Sequence, residues 1–175
     1  VLGYHETVPA LEDMTCCGMQ NLGNTCYANA VINSLAKLPM MRFWLQRHQE
    51  LSMNDPSHPR GCALCALAHD TAQLTTTPHN EPFEPRFVRM RRHWTDGFLF
   101  ANFQQQDAND ALLKMLDTCN EVDLQALNRT EVGAEVLPTS RIAYTTPFWN
   151  LFGSVVREEI HCTACNKRIV NQVYK

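Results

Sequence analysis

The sequence lacks a long apolar run, and none approaches the roughly 18 residues that a membrane-spanning helix requires. It also lacks a signal peptide at its start and an excess of positive charge, since 15 Lys and Arg residues against 18 Asp and Glu residues give a formal net charge of −3. A chain without a basic excess has no bulk electrostatic attraction to nucleic acid. We therefore expect a partner that is neither a membrane nor a nucleic acid; the oligomeric state is left open.

The composition also lacks the marks of disorder. Charged residues make up only 19% of the 175 residues, whereas hydrophobic residues make up 45%. Such a chain can bury a genuine core, and its length fits one domain or one piece of a larger domain.

The eight cysteines lack the even spread of a secreted disulfide framework. Two of them are adjacent, and four form two C-x-x-C pairs, Cys62 with Cys65 and Cys162 with Cys165. This pattern favours thiols and metal ligands in a reducing compartment. The sequence therefore predicts an intracellular protein, cytoplasmic or nuclear.

One stretch, GMQNLGNTCYAN at residues 18–29, is the most informative part of the chain. Its glycines and asparagines predict a loop, and Asn24 or Thr25 is suited to cap the helix that follows. Apolar residues recur at helical spacing from Cys26 to about Leu38, before Pro39. This places Cys26 in the first helical turn, where free N–H groups and the helix dipole favour a thiolate.

Two interpretations of Cys26 compete. Free cysteines are often buried as small apolar residues, and a structural role is the simpler interpretation. The polar, glycine-broken approach to Cys26 argues against a core position, and we favour a nucleophile.

The same stretch resembles the cysteine box of the ubiquitin-specific proteases, papain-like enzymes that cut ubiquitin from proteins. The resemblance implies that Cys26 is the nucleophile and that Asn21 helps to form the oxyanion hole. It also implies that the partner is ubiquitin or a ubiquitinated protein. Without the resemblance, Asn21 is an ordinary turn residue.

A second stretch, from Gln104 to Asp117, predicts an amphipathic helix capped by Asp107. It resembles the family's second box, usually QQDAxEFL, with Asp110 in place of Glu and Ala111 in place of Phe. The resemblance implies that Gln105, Gln106 and Asp107 line the cleft that holds the ubiquitin tail. The residues from 120 to 140 contain several helix breakers and predict a variable connection.

A third stretch begins with an aromatic turn at 146–153, which is followed by an expected strand, the C-x-x-C knuckle at Cys162 and Cys165, and a returning strand at 168–174. It is similar to the family's fingers region, where a second C-x-x-C commonly completes a zinc site. Cys162 and Cys165 are therefore expected to form half of a structural zinc site, because two sulfurs supply only half of the usual tetrahedron.

The other C-x-x-C pair has two interpretations. Cys62, Cys65 and His69 fall at positions i, i+3 and i+7 of a predicted helix, so one face can present all three, with His58 approaching from the preceding loop. Zinc accepts such ligands. The alternative is that these cysteines belong to an apolar helix and lie in the core.

A cysteine protease also needs an imidazole beside its thiol, and a residue that orients this imidazole. None of the seven histidines lies in a stretch similar to the family's histidine box. His48 is a candidate base, but a lone histidine late in a surface helix is more often merely exposed. We therefore expect the chain to be a truncated α+β, papain-like protease: a mainly helical, thumb-like wall at about 18–128, then the start of a β fingers region at about 145–175. Two alternatives are an inactive ubiquitin-binding protein and a zinc-binding scaffold unrelated to ubiquitin.

Overall fold

The computed structural model describes residues 17–76, 81–94, 104–130 and 146–174. The chain divides into two compact units, residues 1–122 and 123–175, with the boundary inside one helix. Each unit is described by itself. None of the helices in the described ranges is long and apolar enough to cross a membrane.

The first unit is built around one apolar helix. Helix α3 (Ala63–Thr76) packs against α1 (Cys26–Ala36), α2 (Pro39–Met53) and the short α4 (Arg86–Arg89), which is followed by α5 (Arg91–Trp94). The core of this unit is formed by large apolar side chains with almost no exposed surface: Ile32, Met41, Leu45, Leu64, Leu67, Leu74, Phe87 and Val88. The helices follow the apolar periodicity of the sequence.

The predicted helix boundaries are largely confirmed. Pro39 lies at the start of α2, where its missing N–H costs no hydrogen bond. After Pro85 the chain forms two short helices, because the regular helical backbone stops at Met90 between α4 and α5.

Helix α6 (Ala108–Thr130) is longer than the sequence suggested. The prediction of a connection from residue 120 is wrong for residues 120–130, which continue the helix; residues 131–140 lie outside the described ranges. Glu121, Leu124, Gln125 and Ala126 are good helix formers, and they outweigh the single Asn128. Ala111, Met115 and Cys119 form a fully buried stripe along the helix, whereas Ala108 is exposed.

The second unit contains a short helix, α7 (Pro147–Phe152), and a two-stranded antiparallel sheet. The Thr146 side chain caps α7 by accepting a hydrogen bond from the Trp149 N–H at 3.1 Å. Strand β1 (Val155–His161) pairs with β2 (Arg168–Tyr174) in a register that sets Ile160 opposite Ile169. The predicted strand, knuckle and returning strand are therefore confirmed, and the molecule combines a helical part with a small sheet, as an α+β fold requires.

Candidate functional site

The loop that precedes Cys26 is held in place by a distant segment of the chain. Gly18 accepts a hydrogen bond from the Phe83 N–H at 3.0 Å, and the Gln20 N–H donates to the Phe83 carbonyl at 2.9 Å. Met19 and Phe83 thereby form a parallel β-bridge. The Gln20 side chain adds a hydrogen bond to the Pro82 carbonyl. This pairing fixes the loop at its N-terminal end.

A tight turn then delivers the chain into α1. Gly23 has φ of 90° and Asn24 has φ of 51°, in the left-handed region that glycine and asparagine tolerate best. The Asn29 side chain, one turn into α1, reaches back to donate to the Gln20 carbonyl at 3.0 Å. The predicted loop-to-helix joint is therefore confirmed, and both of its ends are tied to the backbone.

Thr25 occupies the N-cap position, but its side chain does not cap the helix. The prediction of a cap from Thr25 is wrong because its hydroxyl serves the loop instead. Its Oγ1 accepts a hydrogen bond from the Leu22 N–H at 2.9 Å and donates to Asn21 Oδ1 at 3.2 Å. Thr25 is 1% exposed, so water does not compete for these bonds. The sequence did not predict this role, because the burial of Thr25 depends on tertiary packing.

Cys26 is the first residue of α1, and it is exposed. By contrast, Cys17, Cys62 and Cys119 are buried. The alternative interpretation of Cys26 as a buried structural cysteine is therefore wrong. An exposed thiol at the N-terminus of an 11-residue helix lies where the helix dipole stabilises negative charge.

The Asn21 amide has a defined orientation. Its Oδ1 accepts the Thr25 N–H at 2.9 Å as well as the Thr25 hydroxyl. A backbone N–H can only donate, so the oxygen of the amide must face Thr25. The amide nitrogen, on the other arm of the planar group, is thus directed elsewhere as a donor. Asn21 lies in the loop and Cys26 begins α1, and Thr25 between them orients the Asn21 amide.

Gln105, Gln106 and Asp107 lie immediately before α6, in the first unit. Gln105 and Asp107 are exposed, and Gln106 is partly exposed. Asp107 Oδ1 accepts a hydrogen bond from the Asn109 N–H at 2.6 Å, which confirms the predicted cap. Their role in holding a ubiquitin tail stays a prediction.

The structure brings a second group of reactive side chains together at the α2–α3 connection. His48, His58, Cys62 and Cys65 each offer one ligand atom, and these four atoms lie within 4.8 Å of one another. His48 Nε2 is 3.3 Å from Cys62 Sγ, and His58 Nε2 is 3.2 Å from Cys65 Sγ. We call these four residues the His₂Cys₂ cluster. The hydrogen bond between the two thiols lowers the pKa of Cys65 and, together with burial, raises the pKa of Cys62.

The cluster differs from the expected ligand set in one residue. His69 does not belong to it; its Nδ1 lies 3.2 Å from Asp70 Oδ1 instead. His48 takes its place from α2. The sequence pattern indicated His48 only as a catalytic base, because the expected ligands were Cys62, Cys65 and His69 on one helix and His58 before it, and none of them lies in α2.

The knuckle between β1 and β2 carries the other cysteine pair. The Cys162 N–H donates to the Lys167 carbonyl at 2.9 Å, and the Asn166 N–H donates to the Cys162 carbonyl at 2.9 Å. Hydrogen bonding by the Cys165 N–H lowers the pKa of Cys162. Both cysteines are exposed, and within the described ranges they are not part of any group of three or more possible metal ligands. The half-site of zinc proposed from the sequence stays a prediction.

Comparison with known proteins shows which family the chain resembles. The family model described as ubiquitin carboxyl-terminal hydrolase matches residues 17–172. The chain is 32% identical over 150 residues to ubiquitin carboxyl-terminal hydrolase 17-like protein D of Mus musculus, covering 85% of this chain and 24% of that protein. It is 27% identical over 157 residues to ubiquitin carboxyl-terminal hydrolase 36 of Drosophila erecta, covering 85% of this chain and 13% of that protein.

One solved structure has a similar fold. It is the SAGA Ubp8/Sgf11/Sus1/Sgf73 DUB module bound to ubiquitin aldehyde, with a TM-score of 0.63 and 18% sequence identity. The match covers 96% of this chain and 36% of the other. The α+β, papain-like fold expected from the sequence is thereby confirmed. The chain spans about a quarter of the length of the first relative and about a third of the matched chain in the solved structure.

Proposed function

The chain belongs to the ubiquitin carboxyl-terminal hydrolase family, and from this membership we propose that it carries the nucleophilic half of a deubiquitinase active site. The observation that carries the proposal is the exposed Cys26 at the N-terminus of α1, five residues after an Asn21 amide whose orientation Thr25 defines. A binding module or a scaffold needs neither feature. The substrate we propose is ubiquitin joined through its C-terminal glycine to another protein.

In this reaction the Cys26 thiolate attacks the carbonyl carbon of ubiquitin's terminal glycine. A carbon–sulfur bond forms, and the carbonyl oxygen takes the negative charge. The Asn21 Nδ2 is the proposed donor to that oxygen, and one such donor contributes about 2.7–4 kcal/mol in comparable sites. Collapse of the intermediate breaks the carbon–nitrogen bond, and the amine leaves with a proton. Water then cleaves the thioester and restores the Cys26 thiol.

The leaving amine must receive its proton from an imidazole. His48 and His58 lie in the His₂Cys₂ cluster, and His69 is next to Asp70. These three histidines have other contacts, and we propose that the catalytic histidine and its orienting residue belong to the larger part of the relatives' length that this chain does not cover. Ubiquitin recognition by Gln105, Gln106 and Asp107 is part of the same proposal.

The test is reaction with ubiquitin that carries a thiol-reactive group at its C-terminus, followed by intact-mass measurement. We expect a single covalent adduct with the 175-residue chain and with Cys162→Ala, which removes another exposed thiol. We expect none with Cys26→Ala. An adduct that persists in Cys26→Ala, or one that is lost in Cys162→Ala, would contradict the assignment of the nucleophile.

A hydrolysis assay tests separately whether the catalytic histidine lies outside this chain. The chain alone should release little or no product from a ubiquitin C-terminal amide, because we propose that the catalytic histidine is not among its residues. Rapid turnover by the chain would show that one of its own histidines acts as the base. The proposal that the catalytic histidine lies outside this chain would then be wrong.

A further inference from the structure

We propose that the His₂Cys₂ cluster is a structural zinc site, independent of the ubiquitin chemistry at Cys26. The four ligands are His48 from α2, His58 from the α2–α3 connection, Cys62 just before α3, and Cys65 within α3. Two imidazole nitrogens and two sulfurs form a ligand set that zinc commonly takes in closed sites.

The distances fit a tetrahedral ion. With zinc bonds of about 2.3 Å to sulfur and about 2.0–2.1 Å to nitrogen, neighbouring nitrogen and sulfur ligands lie about 3.5 Å apart. The observed nitrogen–sulfur distances are 3.3 Å for His48 with Cys62 and 3.2 Å for His58 with Cys65. The four ligand atoms need to move only slightly to surround an ion, because all of them lie within 4.8 Å of one another.

The chemistry of the ligands selects the metal. Calcium and magnesium require oxygen ligands, and the four ligand atoms of the cluster include none. Sulfur and imidazole ligands in a tetrahedral arrangement favour zinc. Cys62 is buried and the other three residues are partly buried, so the ligands themselves shield the position from bulk water. Four protein ligands leave no open position for a substrate, which makes the site structural.

An ion at this site would stabilise the connection between α2 and α3. Residues 54–62 join α2 to α3 without a helix or strand, and they include Pro56, Pro59 and Gly61. The ion would tie this connection to both flanking helices. Since α3 packs against α1, α2 and α4, the ion would support the element at the centre of the first unit.

The test is zinc content per chain, measured by elemental analysis after exhaustive dialysis. The parent for the comparison carries Cys162→Ser and Cys165→Ser, which removes any zinc held at the knuckle. We expect one zinc ion per chain in this parent. His69→Asn, a change of a neighbouring histidine outside the cluster, should retain it, whereas Cys65→Ser and His58→Asn should lose it. Absence of zinc from the parent, or its retention in Cys65→Ser, would overturn the proposal.

A second measurement does not depend on loss of metal. Replacement of zinc by cobalt in the same parent should give the absorption of a tetrahedral cobalt ion bound to two thiolates. His58→Cys keeps four ligands and should strengthen the sulfur-to-cobalt absorption by about half, in proportion to a third thiolate. An unchanged spectrum would show that residue 58 does not bind the ion and would overturn the ligand assignment.

Discussion

Thr25 connects the candidate nucleophile to its candidate oxyanion donor. Its hydroxyl accepts from the Leu22 N–H and donates to Asn21 Oδ1, and its backbone N–H donates to the same oxygen. One buried side chain therefore determines both the shape of the turn and the direction of the Asn21 amide. The hydroxyl of Thr25, rather than the size of its side chain, supplies the hydrogen bonds that orient the turn and the Asn21 amide.

Thr25→Val keeps the shape of the side chain and removes the hydroxyl. We expect the adduct with thiol-reactive ubiquitin to form about two- to tenfold more slowly, because one hydrogen bond of about 0.5–1.5 kcal/mol no longer orients Asn21. Thr25→Ser should react at close to the normal rate, and Asn21→Ala should react more slowly than Thr25→Val. Equal rates for Thr25→Val and the unchanged chain would show that Asn21 does not depend on Thr25.

At the scale of elements, the start of α4 depends on one buried acid. Asp70 in α3 has no exposed surface, and its two oxygens accept hydrogen bonds from the Arg86 and Phe87 N–H groups at 2.8 Å each. These are first-turn donors that no residue within α4 can satisfy. Asp70 thus joins two helices and helps to keep Phe87 in the core.

Asp70→Asn replaces one accepting oxygen by a donating NH₂ group. One backbone N–H then loses its acceptor in a buried position, and we expect the free energy of unfolding to fall by about 1–3 kcal/mol. Urea unfolding followed by tryptophan fluorescence measures this loss. Asp107→Asn, at an exposed helix cap where Asn and Asp serve equally well, is the control and should change stability little.

The raised pKa of Asp70 predicts that the stability of the fold depends on pH. Burial raises the pKa of Asp70 above its ordinary value, against the opposing effect of the hydrogen bonds from Phe87 and Arg86. Between the unfolded pKa of about 3.9 and the raised folded pKa, the folded chain binds more protons, so rising pH removes stability contributed by this group. The loss of unfolding free energy caused by Asp70→Asn should therefore be larger at pH 4 than at pH 7. A deficit that grows with pH would contradict the direction of the shift.

Gly153 follows the last residue of α7, at a position where a larger side chain would clash with Trp149. Its φ of −72° is open to any residue, but an added Cβ would lie 2.6 Å from the Trp149 carbonyl oxygen and would also overlap the Trp149 ring. We expect Gly153→Ala to cost about 1–3 kcal/mol, as overpacking does in tight sites. Gly61→Ala is the matched control, because the nearest atom to its added Cβ is Met90 Cε at 3.8 Å. Thermal unfolding by circular dichroism compares the two; equal melting temperatures would refute the steric argument.

Elements were predictable from the sequence where the signal is local. The turn before Cys26, the cap at Asp107 and the β1–β2 hairpin all rest on residues within a few positions of one another. The pairing of Met19 with Phe83 depends on a tertiary contact, which periodicity does not contain. For the same reason His48 was missed as a ligand: it lies on a different helix from Cys65, and only folding brings the two together.

At the scale of the whole molecule, the zinc site predicts a dependence of stability on metal. An ion that binds only the folded chain adds about 2.7 kcal/mol when its concentration is a hundred times its dissociation constant. A strong chelator should therefore lower the melting temperature of the 175-residue chain by about 5–10 °C. The Cys65→Ser chain should melt at a temperature that the chelator does not change. A chelator effect of equal size in both chains would assign the effect to another site.

The pairing of the Cys26 loop with Phe83 also has a consequence for biosynthesis. The hydrogen bond from Gln20 to Pro82 spans 62 positions, and the Met19–Phe83 bridge spans a similar distance. A ribosome adds about 5–20 residues each second. For several seconds the nascent chain therefore carries Cys26 on a loop that has no partner, so this thiol leaves the ribosome before the fold that orients it can form.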